Sequence, residues 1–142
     1  NDPNSPTIIN NLKNLMDNVG DKIYEKYGNM IISSGYRSNS LNKELKGADD
    51  SQHTKGEAID IQVPGINTSE IFNWIINNVS TYDQVIWEFP EKGEGSWIHI
   101  SYGGSQRKEK KIATSNLTLK QVYNVNKTYA LIDNADQSKV PV

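Results

Sequence analysis

Hydrophobic positions in the first part of the chain recur at three- and four-residue steps, the spacing of an amphipathic helix. This pattern predicts a helix over 7–27, and Gly28 follows it as a helix-ending residue. A second stripe of the same kind predicts a helix that starts after an N-cap at Asn67 or Thr68 and packs by its apolar side. A brief helix is predicted over 40–46.

Alternating hydrophobic and polar positions predict strands between and after these helices. The predicted strands cover 29–33, 57–63, 83–89 and 96–102, and the loop 90–95 joins the last two as a β-hairpin. If the apolar residues of the last three strands face the core, the residues between them share the opposite face of the sheet. The predicted core residues are Ile59, Ile61, Val85, Trp87, Phe89, Ile98 and Ile100, and the residues predicted to share the other face are Asp60, Glu88 and His99.

Length and charge narrow the classes of protein to consider. The chain has 142 residues, the size of one domain, and a net charge of -2, so its surface is close to balanced. Its one basic cluster, 107–111, is short, contains an acid and lacks interleaved aromatics, which argues against nucleic-acid binding. No apolar run reaches the roughly 18 to 20 residues of a membrane span. We expect a monomer that binds no nucleic acid and has no membrane span.

Cysteine is absent, so any metal ion must be held by histidine or carboxylate side chains. The two histidines of the chain are His53, in the polar stretch before the Asp60 strand, and His99, on the same predicted face as Asp60. Two histidines and one carboxylate suit zinc and leave a fourth position open for water, as in hydrolytic sites. The alternative is that His53 is a surface loop residue, His99 a satisfied strand residue and Asp60 a solvated acid. Spacing alone leaves both interpretations open.

Three segments resemble a known family. They are S-G-Y-R-S at 34–38, S-Q-H-T-K-G-E-A-I-D at 51–60 and W-I-H-I-S at 97–101, and in order and spacing they are similar to the zinc D-Ala-D-Ala carboxypeptidase family. That family comprises peptidoglycan peptidases that share their metal fold with the hedgehog signalling domain, and the resemblance covers roughly residues 8–102. It implies an α+β fold, in which a small antiparallel sheet has helices packed on one face and the zinc site on the other.

Carried over by position, the resemblance makes His53, Asp60 and His99 the zinc ligands. It also implies that Arg37 binds a substrate carboxylate and that Ser51 hydrogen-bonds the substrate nearby. A guanidinium suits the first task because it can grip a carboxylate with two hydrogen bonds. The alternatives are a structural salt bridge for Arg37 and a capping hydroxyl for Ser51.

The general base is where the chain departs from the family's pattern. Many relatives place an acid three residues before the second zinc histidine, and this chain has Ser96 there. Glu88 is the first candidate because alternation puts it on the His99 face, and Glu94 in the hairpin loop is the second. Without either acid, the protein would be a catalytically weak zinc-containing module that binds cell wall or a protein partner.

The resemblance implies a zinc metallopeptidase that hydrolyses peptidoglycan stem peptides, of the D-Ala-D-Ala carboxypeptidase or the L-Ala-D-Glu endopeptidase type. Such an enzyme would act in the periplasm, outside the cell, or as a phage-encoded lysis or virion component. We expect the peptidase domain to cover residues 1–104. Residues 105–142 have no sustained hydrophobic period, and we expect an extension that adds edge strands, wraps the domain or is partly disordered.

Overall fold

The computed structural model of the protein describes residues 2–114. Within them lies one mixed sheet of five strands: β1 (Ile31–Ser34), β2 (Ala58–Gln62), β3 (Gln84–Glu88), β4 (Trp97–Ser101) and β5 (Glu109–Ala113). Their order across the sheet is β1-β2-β4-β3-β5. Neighbouring strands are antiparallel except for β3 and β5, which run parallel. The predicted α+β fold is confirmed, and the parallel pair is an addition that alternation did not predict.

The helices fall close to the predicted positions. They are α1 (Pro6–Leu15), α2 (Asp21–Tyr27), α3 (Asn39–Glu44) and α4 (Thr68–Asn78), and a π-helical turn, Met16–Gly20, joins α1 to α2. The segment predicted as one helix therefore forms one helical stretch with a π turn inside it. Gly28 ends this stretch with a φ of 77°, a conformation that favours glycine.

One face of the sheet carries the hydrophobic core. The apolar sides of α1, the π turn, α2 and α4 pack there, because their three- and four-residue spacing places those side chains on one side of each helix. Each fully buried large aliphatic or aromatic side chain stabilises the fold by about 1.5–3 kcal/mol. The buried members from helices and the π turn are Leu15, Val19, Ile23, Ile71, Phe72 and Ile75, and those from strands are Ile59, Ile61, Val85, Trp87, Ile98 and Ile100.

Phe89 was predicted to face the core, and this prediction is wrong. The strand β3 ends one residue earlier, and Phe89 adopts a left-handed backbone with a φ of 55°. Its ring is only partly buried and packs at 5.2 Å between centroids against Trp97. The left-handed residue breaks the alternation, so the side chain leaves the core face and a 3-10 turn, Pro90–Gly95, completes the connection between β3 and β4.

The region after Gly104 contributes the strand β5 at one edge of the sheet, paired with β3 from Gln84↔Glu109 to Glu88↔Ala113. An edge strand was one of the expectations for this region. Residues 115–142, which hold the rest of the predicted extension, lie outside the described residues. Among residues 2–114, no helix is both long and apolar enough to cross a membrane.

Candidate active site

Two of the predicted ligands meet across neighbouring strands on the sheet face opposite the helices. Asp60 of β2 is the direct partner of His99 of β4 in the antiparallel register. Side chains in such positions project from the same face about 5 Å apart at their Cβ atoms. The Oδ1 atom of Asp60 and the Nδ1 atom of His99 lie 3.1 Å apart. The pairing of β2 with β4 therefore builds half of the site.

The third predicted ligand reaches the same point from a 3-10 turn, Gln52–Lys55, which ends shortly before β2. Ser51 caps this turn, because its hydroxyl accepts the backbone N–H of His53 at 3.3 Å. Gly56 ends the turn in the left-handed conformation. The His53 side chain is buried, and its Nε2 atom lies 3.3 Å from Oδ1 of Asp60. The motif S-Q-H-T-K-G is thus a capped turn that aims one histidine at the sheet.

The S-G-Y-R segment holds this histidine from the other side. The carbonyl of Gly35 accepts a hydrogen bond from Nδ1 of His53 at 2.8 Å, and the backbone N–H of Arg37 donates to the carbonyl of His53 at 3.0 Å. A carbonyl can only accept, so the Nδ1 atom carries a hydrogen, and Nε2 is the ring nitrogen that faces Asp60. Hydrogen bonds of this kind fix the tautomer of metal-binding histidines.

The arrangement suits a cation. Nε2 of His53 and Oδ1 of Asp60 lie 3.3 Å apart, so a proton on Nε2 or a metal ion between the two atoms would satisfy both. Burial would raise the pKa of Asp60, but hydrogen bonds and charge attraction from His53 and His99 outweigh it and lower the pKa to about 2. The ligand atoms of the three residues all lie within 4.8 Å of one another. Neighbouring ligands of a tetrahedral zinc ion lie roughly 3.3 Å apart, close to the two distances observed.

Comparison with known protein families gives the context for this site. Residues 2–101 match the family model described as Peptidase M15. The chain belongs to the peptidase M15 family. A comparison with curated proteins gave no match. The match covers all three motifs, and the protein is therefore a zinc-dependent metallopeptidase whose His53, Asp60 and His99 form a group that can hold the metal ion.

The first candidate base of this M15 peptidase lines the same cleft as the metal-binding group, a depression of about 550 Å³. Glu88 lies on β3, two residues beyond Ile86, which is the register partner of His99. Its Oε2 atom accepts a hydrogen bond from the indole N–H of Trp97. Burial raises the pKa of Glu88, and the nearby carboxylate of Asp60 raises it further. A partly desolvated carboxylate of this kind is a stronger base than a solvated one.

The second candidate base lies elsewhere. Glu94 lines a different depression, of about 360 Å³, together with Ile31 and the segment 62–68. Its backbone carbonyl accepts a hydrogen bond from the side chain of Gln62 at 3.2 Å. The structure therefore brings Glu88 to the metal-binding group and places Glu94 in another depression.

Ser96, which stands where many relatives have an acid, is fully buried and serves the fold. Its hydroxyl donates to the carbonyl of Glu88 at 2.7 Å and accepts from the indole N–H of Trp87 at 3.1 Å. The hydroxyl of Thr68 also donates to it at 3.0 Å. These bonds join β3, β4 and α4, so the position has a structural use in this chain.

The predicted substrate-binding residues both line the cleft. Arg37 donates from Nε to the hydroxyl of Ser34 at 2.9 Å and from Nη2 to Oδ2 of Asp60 at 3.4 Å. It thus contacts the carboxylate oxygen of Asp60 that faces away from the histidines. The hydroxyl of Ser51 caps the turn that carries His53, as described above. The two alternatives considered for these residues, a salt bridge and a cap, are present, and their contact with substrate remains a prediction.

Several residues of the cleft were not singled out from the sequence. Trp97 was noted only as part of a motif, although its indole N–H holds Glu88. Gln52 and Arg107 also line the cleft, and both hydrogen-bond to Asp83. Arg107 belongs to the cluster that was considered only as a nucleic-acid footprint. Arg107 comes near the cleft because β5 pairs in parallel with β3, and no local period in the sequence predicts this non-local contact.

Proposed function

We propose that this M15 peptidase hydrolyses the stem peptides of peptidoglycan, as a D-Ala-D-Ala carboxypeptidase or an L-Ala-D-Glu endopeptidase. The observation that carries the proposal is the meeting of His53, Asp60 and His99 in one cleft with a half-buried carboxylate, Glu88, and a guanidinium, Arg37. This set combines a metal site, a base and a carboxylate-binding group, the three parts that cleavage of an acidic peptide needs.

When bound, zinc supplies a Lewis acid that polarises the scissile carbonyl and makes a water molecule more acidic. Glu88 takes a proton from the attacking water as the oxygen adds to the carbonyl carbon. The same carboxyl group then returns the proton to the leaving nitrogen, and the C–N bond breaks to release an amine and a carboxylate. The indole N–H of Trp97 keeps the carboxylate of Glu88 oriented through both transfers.

Arg37 orients the substrate by binding a carboxylate, either the D-Ala terminus or the α-carboxylate of D-Glu. In the absence of peptide, Nη2 of Arg37 is 3.4 Å from Asp60, a long distance for a charge-assisted hydrogen bond. A substrate carboxylate can therefore replace this contact at small cost. The choice between the two carboxylates decides which peptide bond reaches the metal site, and an L-Ala-D-Glu endopeptidase would act as an endolysin does.

The test is digestion of purified peptidoglycan by zinc-loaded protein, followed by mass spectrometry of the released fragments. Free D-alanine identifies the carboxypeptidase type, whereas new D-glutamate amino termini identify the endopeptidase type. Chelated protein should release neither product, and added zinc should restore the activity. Bound zinc with intact peptidoglycan after prolonged incubation would refute the proposal and favour a zinc-containing binding module.

A further inference from the structure

A second guanidinium lines the cleft from the opposite side to Arg37. Arg107 lies two residues before β5 begins, whereas Arg37 follows β1, and these two strands are the opposite edges of the sheet. The metal-binding Asp60 and His99 lie on β2 and β4, between the two edges. Arg107 also lies beyond residue 101, where the match to the family ends. It is therefore a feature of this chain outside the matched family motifs.

A buried carboxylate holds Arg107 in position. Nε and Nη2 of Arg107 donate to Oδ1 and Oδ2 of Asp83 at 2.9 and 2.8 Å, and the backbone N–H of Arg107 donates to Oδ1 at 3.1 Å. The side chain of Gln52, next to His53, also donates to Oδ2 of Asp83 at 2.8 Å. Two parallel hydrogen bonds fix the plane of a guanidinium. The group is thus preorganised before any ligand arrives.

The outer edge of this guanidinium can accept a ligand. The side chain of Arg107 is 50% exposed, compared with 16% for Arg37. Its Nη1 atom is 3.4 Å from Oε2 of Glu109, whose other oxygen is held by Lys111 and, at 2.9 Å, by Gln84. A substrate carboxylate can replace Glu109 at Nη1 without disturbing the two bonds to Asp83. The carboxylate of Asp83 offsets the positive charge of Arg107. A substrate carboxylate would therefore be held mainly by a directed, short-range hydrogen bond from Nη1.

The sheet sets the distance between this point and the scissile bond. The guanidinium is held on Asp83, three residues before Ile86, the register partner of His99, so it lies about 11 Å from the level of His99: three residues along the strand and one strand spacing across the sheet. An extended peptide covers about 3.3 Å per residue. A carboxylate held by Arg107 would therefore lie roughly three residues from the bond at the metal site.

We propose that Arg107 is a second carboxylate-binding point, which selects peptides with an acidic group about three residues from the cleaved bond. The inference rests on the proposed function, because it concerns the substrate of the same cleft. With Arg37 on the other side, the cleft would recognise a peptide by two carboxylates placed on either side of the metal-binding group.

The test uses synthetic stem peptides in three forms: both carboxylates free, the D-Glu α-carboxylate amidated, and the C-terminus amidated. Dissociation constants are measured by titration calorimetry with zinc-loaded protein that carries Glu88→Gln to suppress turnover. Arg107→Gln should weaken binding of the fully acidic peptide by about tenfold. The same substitution should not weaken binding of the amidated peptide in which the carboxylate held by Arg107 has been removed. Arg107→Lys should recover part of the loss.

Lys108→Gln is the matched control, because it removes one positive charge from the adjacent exposed residue, which does not line the cleft. Melting temperatures of all variants separate loss of binding from loss of folding. Equal weakening of all three peptides by Arg107→Gln would reduce the residue to a structural ion pair and overturn the inference. The same loss with Lys108→Gln would overturn it too, since a general charge effect would then suffice.

Hydrolysis by zinc-loaded wild-type protein distinguishes the two proposals. If the protein binds acidic peptides through Arg107 but cleaves none of them, the proposed function fails and this inference stands. If it cleaves all three peptides with equal KM, the proposed function stands and the inference fails.

Discussion

Gly56 ends the turn that carries His53, and replacing it with alanine should destabilise the fold more than its backbone angle alone predicts. The φ of Gly56 is 72°, a left-handed conformation that costs about 1–2 kcal/mol for a residue with a Cβ atom. An added Cβ would also lie 2.8 Å from the backbone oxygen of Ile8 and 2.9 Å from its Cγ2 atom. Because that oxygen belongs to α1, the helix or the turn must move.

Forced displacement of packed groups costs about 1–3 kcal/mol, so Gly56→Ala should lower the free energy of unfolding by roughly 2–5 kcal/mol in total. Gly65→Ala is the matched control. Its φ is 80°, and an added Cβ would meet no atom within 4 Å, so only the backbone cost of about 1–2 kcal/mol applies. The difference between the two variants isolates the close approach of α1 to the turn.

The assay is urea unfolding of both variants in the zinc-free state, followed by a zinc competition titration. Gly56→Ala should also bind zinc more weakly, because the strained turn positions His53, whereas Gly65→Ala should bind as the wild type does. Equal destabilisation by the two substitutions, or unchanged zinc affinity in Gly56→Ala, would show that the contact with α1 does not hold the turn, and the reasoning would be refuted.

Three further predictions concern the base, the metal and acid stability. Glu88→Gln should lower kcat by about 10²- to 10⁴-fold with zinc content unchanged in elemental analysis, while Glu94→Gln stays near wild type; the reverse order would move the base to the second acid. Zinc should raise the melting temperature by about 5 °C or more at saturating concentration, because binding stabilises only the folded chain, and an equal rise in Asp60→Asn would place the ion elsewhere. Hydrogen bonds from Arg107 lower the pKa of Asp83 from 3.8 to about 2 despite burial, so its stabilisation is present above the unfolded pKa and disappears as the pH falls through about 2. The stability difference between wild type and Asp83→Asn, measured by urea unfolding from pH 6 downward, should therefore shrink below pH 4; a constant difference would contradict the ion pair.

Much of the site follows from local sequence. The alternation of β2 and β4 places Asp60 and His99 on one face, and the S-x-H-x-x-G segment specifies a capped turn that ends in a left-handed glycine. These features depend on side-chain period and on backbone conformations that particular residues favour, both of which act over a few residues. The resemblance of the motifs to a peptidase family agrees with the family match.

The placement of the two candidate bases is different in kind. Glu88 and Glu94 are separated by six positions; Glu88 ends β3, and Glu94 lies in the hairpin loop. The left-handed backbone of Phe89 ends β3 directly after Glu88, and the 3-10 turn that follows carries Glu94, which lines a different depression from Glu88. No period in the sequence signals a single non-glycine residue with positive φ. Tertiary contacts, including the Phe89 ring on Trp97 and the Trp97 indole on Glu88, accompany that arrangement.

The sequence by itself predicted the group of His53, Asp60 and His99, the helices and four of the strands, and its motifs indicated the family. Only the tertiary structure decided that β5 joins β3, that Arg107 thereby reaches the cleft, and that Asp83 holds it there. The physical reason is the separation along the sequence between the residues that interact. Periodicity and turn propensity are properties of neighbouring residues, whereas a parallel strand pair and an ion pair between residues 24 positions apart depend on how the chain closes around its core.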